Sequence, residues 1–153
     1  MNSEKFYLAS KECSLQDPMY RYQIEQPKIS IGGKQGNRTT YFENSEIFSK
    51  LINVSSMFFG KYISNKISCP LNFDKTKNCL GFKGEYSIDL IIQHLNEFIK
   101  IYILCSNCDY PETDLNLNTK KKICQICRSC GTIYDIPNKY MDKSYDFISK
   151  NIH

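Results

Sequence analysis

Cys105-Ser-Asn-Cys108 and, eighteen residues later, Cys127-Arg-Ser-Cys130 limit the folds open to this chain more than any other feature. Each C-x2-C segment can turn back on itself so that two sulfurs face one point. Two such turns at the tips of adjacent hairpins supply a tetrahedron of thiolates, the soft and closed ligand set that zinc takes in structural sites. Gly131 follows the last cysteine and suits a turn that needs an unhindered backbone. The spacing is that of a zinc ribbon, so Cys105, Cys108, Cys127 and Cys130 are read as the ligands of one structural Zn2+. Four thiolates leave no open position for water or substrate, which argues against a catalytic metal. Cys124-Gln-Ile-Cys127 is also a C-x2-C. Pairing Cys127 with Cys130 is preferred, because the glycine follows Cys130 and Ile126 fits a tight turn badly. Cys124 is then a spare thiol near the metal; the alternative register uses it as a ligand.

Eight cysteines point to metal rather than to disulfides only where thiols stay reduced. The start, Met1-Asn-Ser-Glu-Lys-Phe-Tyr7, carries charges and no apolar core of signal length. The longest apolar stretches, such as Ile101-Tyr-Ile-Leu104, are far too short to cross a bilayer. A cytoplasmic, monomeric protein without a membrane partner is expected. Cys13, Cys69, Cys79 and Cys124 are read as small buried or semi-exposed residues. The 153 residues allow one ordinary domain or two small ones, and 41% hydrophobic against 24% charged residues is a folding composition. Lys and Arg exceed Asp and Glu by 20 to 16, a net +4 that a zinc-thiolate centre lowers to about +2, too little to argue nucleic-acid binding by itself.

Residues 1–18 show no period and read as a flexible tail, followed by the extended Met19-Tyr-Arg-Tyr-Gln-Ile24. Lys28-Ile-Ser-Ile31 alternates as a half-buried strand does, the stretch 32–38 is a turn with three glycines, and Thr39–Phe42 resumes the β signal. Together they predict a hairpin with a basic tip. Asn44 or Ser45 can cap a helix over 45–53, with Ile47 and Leu51 inward, joined by Phe48. Two more strands are expected near 62–68 and 79–83. Ser87 opens the clearest helix, about 88–99, where Ile88, Ile91, Ile92, Leu95, Phe98 and Ile99 fall at helical spacing. The fold class is therefore α+β: a small antiparallel sheet with two helices on one face, then a C-terminal zinc ribbon. The expected domains are the tail 1–18, an α/β domain 19–103, and a ribbon domain 104–153 with a short C-terminal element. No P-loop is present, and His94 and His153 are read as solvated, so no catalytic set emerges from spacing.

The local wording carries more. Asp17-Pro-Met-Tyr-Arg-Tyr22, Gly33-Lys-Gln-Gly-Asn-Arg-Thr39, Phe98–Cys105, Pro111-Glu-Thr-Asp-Leu115 and Cys127-Arg-Ser-Cys-Gly131 occur in a familiar order. From about Asp17 to Asn151 the chain resembles the amino-terminal domain of the eukaryotic translation initiation factor 5 family. The beta subunit of initiation factor 2 shares that fold and ribbon, but Tyr-Arg-Tyr and Pro-Glu-Thr-Asp-Leu resemble factor 5, and the beta subunit's lysine blocks are missing. The resemblance implies an activator of the GTPase initiation factor 2 during start-codon selection, not itself an enzyme. Its partners would be the GTPase subunit, the small ribosomal subunit and initiator tRNA.

The resemblance further implies that Arg21 is an arginine finger given in trans, steadied by Tyr20 and Tyr22. Such a finger stabilises transition-state charge, an effect worth roughly 10³–10⁵ in rate. Gly60-Lys-Tyr-Ile aligns without a gap on the family's Thr-Lys-Tyr-Phe, which makes Lys61 a supporting cation. Arg38 falls where the family has a second supporting lysine, after a loop one residue longer than this one. The loop residues Gly33, Lys34, Gln35, Gly36 and Asn37 correspond to those that approach the codon–anticodon helix. The resemblance matches residues 145–151 to the last element of the family's first domain; these 153 residues are then either a fragment that stops short of the family's helical carboxy-terminal domain or a naturally reduced protein. Two other readings compete. One is a ribosome- and tRNA-binding module like the beta subunit, without activating power. The other is a general zinc-ribbon protein, which leaves residues 17–100 unexplained.

Overall fold

The computed structural model describes residues 5–7, 23–108 and 110–152. Two short strands, β1 (Lys5–Tyr7) and β2 (Gln23–Glu25), pair antiparallel, with Phe6 opposite Ile24. Part of the segment read as a loose tail is thus a strand. The hairpin expected from the alternation is present: β3 (Ile29–Lys34) runs against β4 (Asn37–Phe42), with Lys34 opposite Asn37 across the turn Gln35-Gly36. Next to β4 lies β6 (Cys79–Lys83), and next to that β5 (Leu71–Asp74). The antiparallel order is β3-β4-β6-β5.

Helix α1 (Ser45–Ile52) presents Ser45, Phe48 and Ile52 to the core, a stripe at i, i+3 and i+7. Ile47 lies off that stripe and is 54% exposed, so the inward face is turned from the expected one. Asn44 does not cap the helix with its side chain. Its amide instead donates to the Gln26 carbonyl and its oxygen accepts from the Lys28 N–H, tying the helix start to the entry of β3.

The strand expected near 62–68 is instead the second half of helix α2 (Ser56–Lys66), capped by Ser55, whose hydroxyl accepts from the Met57 N–H at 3.3 Å. Phe58, Phe59, Tyr62 and Ile63 are its buried stripe. Gly60 breaks the helical pattern by eye but has a packing reason. A Cβ there would stand 2.9 Å from the Leu80 side chain, so the missing side chain lets α2 lie close on β6.

Helix α3 (Ile88–Phe98), capped by Ser87, continues through a π-helical turn at Ile99–Ile103, where the Leu104 N–H bonds back to the Ile99 carbonyl. Ile101–Leu104 therefore does not form the β-like lead into the ribbon that its composition suggests. The ribbon sheet is antiparallel in the order β7 (Thr113–Leu117), β8 (Ile123–Cys127), β9 (Ile133–Asp135). A 3₁₀ turn at Asn138–Tyr140 leads to helix α4 (Lys143–Asn151), whose cap Asp142 accepts from the Tyr145 N–H at 2.9 Å.

One apolar core runs through both parts. Phe42, Phe48, Phe59, Phe98 and Tyr102 are fully buried, and their rings meet in a chain of pairs with centroids 5.0–6.1 Å apart. Ile123 and Ile136 of the ribbon region and Tyr145 and Ile148 of α4 belong to the same cluster. Helix α4 folds back on α2, with Phe147 edge-on to Phe58 at 6.3 Å. The seam is also hydrogen-bonded. The Gln125 amide donates to the carbonyls of Tyr102 and Leu104, the Thr113 hydroxyl donates to the Ile103 carbonyl, and the Tyr145 hydroxyl accepts from the Ile123 N–H. No helix among the described residues is long and apolar enough to cross a membrane.

Candidate metal centre

Where α3 and its π-helical turn end, the chain enters Cys105, so the first C-x2-C turn follows a helix and precedes β7 rather than capping a hairpin. The second turn does join two strands, because Cys127 closes β8 and β9 begins at Ile133. Cross-strand register sets Thr113 opposite Cys127, which brings the start of β7 to the second turn. Gly131 has φ +78° and its N–H bonds the Cys127 carbonyl at 2.9 Å, the tight left-handed step expected after the last cysteine.

These constraints gather the sulfurs of Cys105, Cys108, Cys127 and Cys130 within 4.8 Å of one another. Cys105 and Cys130 Sγ are 3.6 Å apart, as are Cys108 and Cys127 Sγ. A disulfide needs about 2.05 Å. A tetrahedron of sulfurs around Zn–S bonds of about 2.3 Å has edges of about 3.8 Å. The spacing fits four ligands around one ion and fits no bridge. Backbone amides face the sulfurs: the Asn107 N–H donates to Cys105 Sγ and the Cys130 N–H to Cys127 Sγ, each at 3.4 Å. Such dipoles favour thiolate over thiol. Cys124 is not in the cluster; it sits buried on β8 between Asn116 and Asp135.

The environments differ within the set. Cys105 and Cys127 are buried, while Cys130 is exposed. The Thr132 hydroxyl, 3.2 Å from Cys130 Sγ, and the Thr132 backbone, with help from the Asn107 amide at 3.7 Å, hold that thiol down at about 6. Burial, reinforced by the three neighbouring sulfurs, pushes Cys108 up to about 12. Asn107 and Thr132 escaped the reading of the sequence. The signal for them is positional: one lies inside the first C-x2-C and the other two residues after the second.

The remaining expected residues are not brought to this centre. Arg38 lies at the start of β4, about half exposed, with Nε 3.0 Å from a Glu85 carboxylate oxygen. Lys61 sits in the middle of α2, its ammonium 5.8 Å from the Phe147 ring centroid. The two cations thus stand on different elements with different partners. Gly33, Lys34, Gln35, Gly36 and Asn37 form the exposed hairpin tip. Gly33 has φ +97°, and a Cβ there would meet the Asn37 carbonyl oxygen at 2.5 Å, so position 33 is closed to larger residues. The Lys83 ammonium bonds the Asn37 side-chain oxygen, latching the tip of the hairpin to the end of β6. Arg21, its neighbours Tyr20 and Tyr22, and Cys13 lie outside the described residues.

His94 is not the solvated residue its helical arc suggests. Its side chain is 13% exposed, with Nδ1 3.0 Å from the Glu97 carboxylate, which also accepts from the Tyr62 hydroxyl at 3.2 Å. Burial works against ionised Glu97, but the hydrogen bond and charge of His94 more than offset it, leaving the carboxyl below its usual range.

Set against known proteins, residues 12–133 match the family described as a domain found in initiation factor 2B and initiation factor 5. The chain is 31% identical over 135 residues to eukaryotic translation initiation factor 5 of Caenorhabditis elegans, covering 88% of this chain and 30% of that protein. It is 29% identical over 119 residues to the factor 5 of Mus musculus, covering 77% and 28%. A probable factor 5-1 of Arabidopsis thaliana is 28% identical over 136 residues, covering 88% and 30%. The chain spans about 30% of the length of these relatives.

Proposed function

Because the chain belongs to the family of the domain found in initiation factors 2B and 5, we propose that it is a translation initiation factor that activates GTP hydrolysis by initiation factor 2 during start-codon selection on the small ribosomal subunit. The observation that carries this reading is the single continuous match over residues 12–133, which takes in Arg21, Arg38, Lys61 and all four clustered cysteines. In hydrolysis, negative charge spreads over the transferring phosphoryl group and the leaving oxygen. Arg21 supplies a planar donor fork to that charge in the partner's site. Arg38 and Lys61 add positive charge to the docking surface, and the Gly33–Asn37 tip offers unhindered backbone and Lys34 to RNA phosphates near initiator tRNA. The four cysteines hold one structural Zn2+, whose role is to fix the two turns and, through β7 and β8, the ribbon sheet. Activity is placed in the cytoplasm.

A second reading, a ribosome- and tRNA-binding module without activating power, draws on one observation. Arg38 and Lys61 already have partners within the chain, Glu85 and Phe147. Single-turnover GTP hydrolysis by a ribosome-bound factor 2 ternary complex, with and without this chain, separates the two. Activation requires that the chain speeds hydrolysis and that Arg21→Ala abolishes the gain while binding changes little. Arg21→Lys should recover only a small part, because a point charge does not reproduce the two-pronged contact. A parallel loss of binding and hydrolysis would make Arg21 a docking contact. An unchanged rate with the unmodified chain leaves the binding module.

A further inference from the structure

At the seam between the helical layer and the ribbon lies an open cavity of about 490 Å³ that no residue of the hairpin tip lines. Three walls meet there. Helix α3 and its π-helical extension contribute Glu97, Lys100, Ile101 and Leu104, spaced i, i+3, i+4 and i+7 along one face. Helix α2 adds Tyr62 and Lys66, one turn apart, and the ribbon side adds Ser106, Tyr134, Pro137 and Tyr140. The volume is that of a site for one drug-sized molecule, and junctions of this kind are where such sites occur.

The chemistry of the walls narrows the occupant. Among the described residues neither the Lys66 nor the Lys100 ammonium is in an ion pair; Lys66 only overlies the Tyr62 ring at 5.4 Å. The one carboxylate, Glu97, is already engaged by His94 and the Tyr62 hydroxyl. Two cations are thus left for an anion. Tyr134 is 38% exposed, and with Tyr140, Ile101, Leu104 and Pro137 it gives the cavity an aromatic and apolar wall. Lysines next to accessible aromatic faces are the combination that holds single-stranded nucleic acid, with phosphate on the cation and base on the ring. An acidic peptide would use the lysines but leave the aromatic wall and most of the volume unused.

We infer that this cavity is a nucleotide-binding subsite, taking one nucleoside phosphate with its phosphate at Lys66 and Lys100 and its base against Tyr134. The nucleotide can be free or part of an unpaired RNA strand. The site is separate from the activating role, since it uses none of Arg21, Arg38 or Lys61.

The test titrates the purified chain with a nucleoside monophosphate, a three-nucleotide oligoribonucleotide, inorganic phosphate and a glutamate-rich peptide, following backbone amide NMR shifts. Shifts centred on Lys66, Lys100, Ser106 and Tyr134 with either nucleotide probe support the site, and the tighter probe tells a free nucleotide from a strand. Tyr134→Ala should weaken binding about tenfold. Lys66→Ala with Lys100→Ala should weaken binding of both nucleotide probes and make what remains less sensitive to salt. Both variants change exposed side chains, and an unchanged thermal melt checks that the fold is kept. The inference is overturned if no nucleotide probe binds at millimolar concentration, if shifts fall only on residues 33–37, if inorganic phosphate binds as well as the nucleotide, or if the acidic peptide binds more tightly.

Discussion

Phe59 and Cys130 stand for two ways of holding this chain together. Around Phe59 the sheet and helices bury a run of aromatic rings against one another, with Phe42, Phe98 and Tyr102 all fully covered. Around Cys130 the inner sulfurs of Cys105 and Cys127 are covered, but the outer strand is not. All three residues of β9 are exposed, Ile133 by 69%, and the β8–β9 turn carries polar residues and sulfur. Apolar burial is the dominant favourable term in the first region. In the second it is too sparse, and small modules of that kind depend on a metal. The seam of Gln125, Thr113 and Tyr145 joins the two, so the ribbon is anchored at its inner edge, with the four clustered sulfurs at the outer one. The contrast teaches where each substitution should act.

The largest effect should come from the sulfurs. A structural zinc supplies on the order of 10 kcal/mol to a folded ribbon, so Cys127→Ser should lose metal and unfold the β7–β9 region, read by metal content and amide NMR. Cys124→Ser should keep the metal. Loss of metal in Cys124→Ser with retention in Cys130→Ser would place the ligand set one register earlier. Acid should act in the same direction as ligand loss. Burial and the neighbouring sulfurs hold the proton on Cys108 while Thr132 and Asn107 favour the thiolate of Cys130, so metal uptake must drive a proton from Cys108 above all. Affinity should therefore fall as pH falls and rise as it rises, which a competitive chelator titration across pH measures.

Next in size is the aromatic core. Phe59→Ala removes a fully buried ring from the run of packed aromatics and should cost about 3–5 kcal/mol by urea unfolding without changing the metal content. Equal loss of metal in that variant would erase the distinction between the two regions. Gln125→Ala strikes the seam. It strips the Tyr102 and Leu104 carbonyls of a shared donor and should cost about 1–3 kcal/mol, loosening the ribbon more than the sheet. The smallest effect is expected at Arg38. Its pair with Glu85 is exposed on both sides, so Arg38→Ala should change stability by no more than about 0.5 kcal/mol, and any fall in stimulated hydrolysis would then report on function.

Much of the two-part plan can be read from residue patterns, for physical reasons. The cysteine turns are legible because only a few residue types bind metal and the spacing closes locally. The hairpin is legible because alternation on both sides of a glycine turn has one simple solution, and α3 because its apolar period runs three turns from a serine cap. Helix α2 hides behind Gly60, where tertiary packing on Leu80 decides and propensity does not. Ile101–Leu104 looks like a strand by composition, yet the helix before it carries on through a π-helical turn. The return of α4 onto α2 and the pairing of His94 with Glu97 depend on contacts distant in sequence or on burial, which no local pattern records. The roles proposed for Arg21, Arg38 and Lys61 rest on the family resemblance and not on spacing.

The division of labour between core and metal is tested most directly by amide hydrogen exchange on the metal-loaded chain before and after a zinc chelator. Amides of β7, β8 and β9 and of the turns at 105–108 and 127–131 should lose protection. Those of β4, β6 and the inner face of α3 should keep most of theirs. If all of these amides lose protection together, core and ribbon form one cooperative unit; if the ribbon amides do not respond at all, the four cysteines do not depend on a metal, and the account is contradicted.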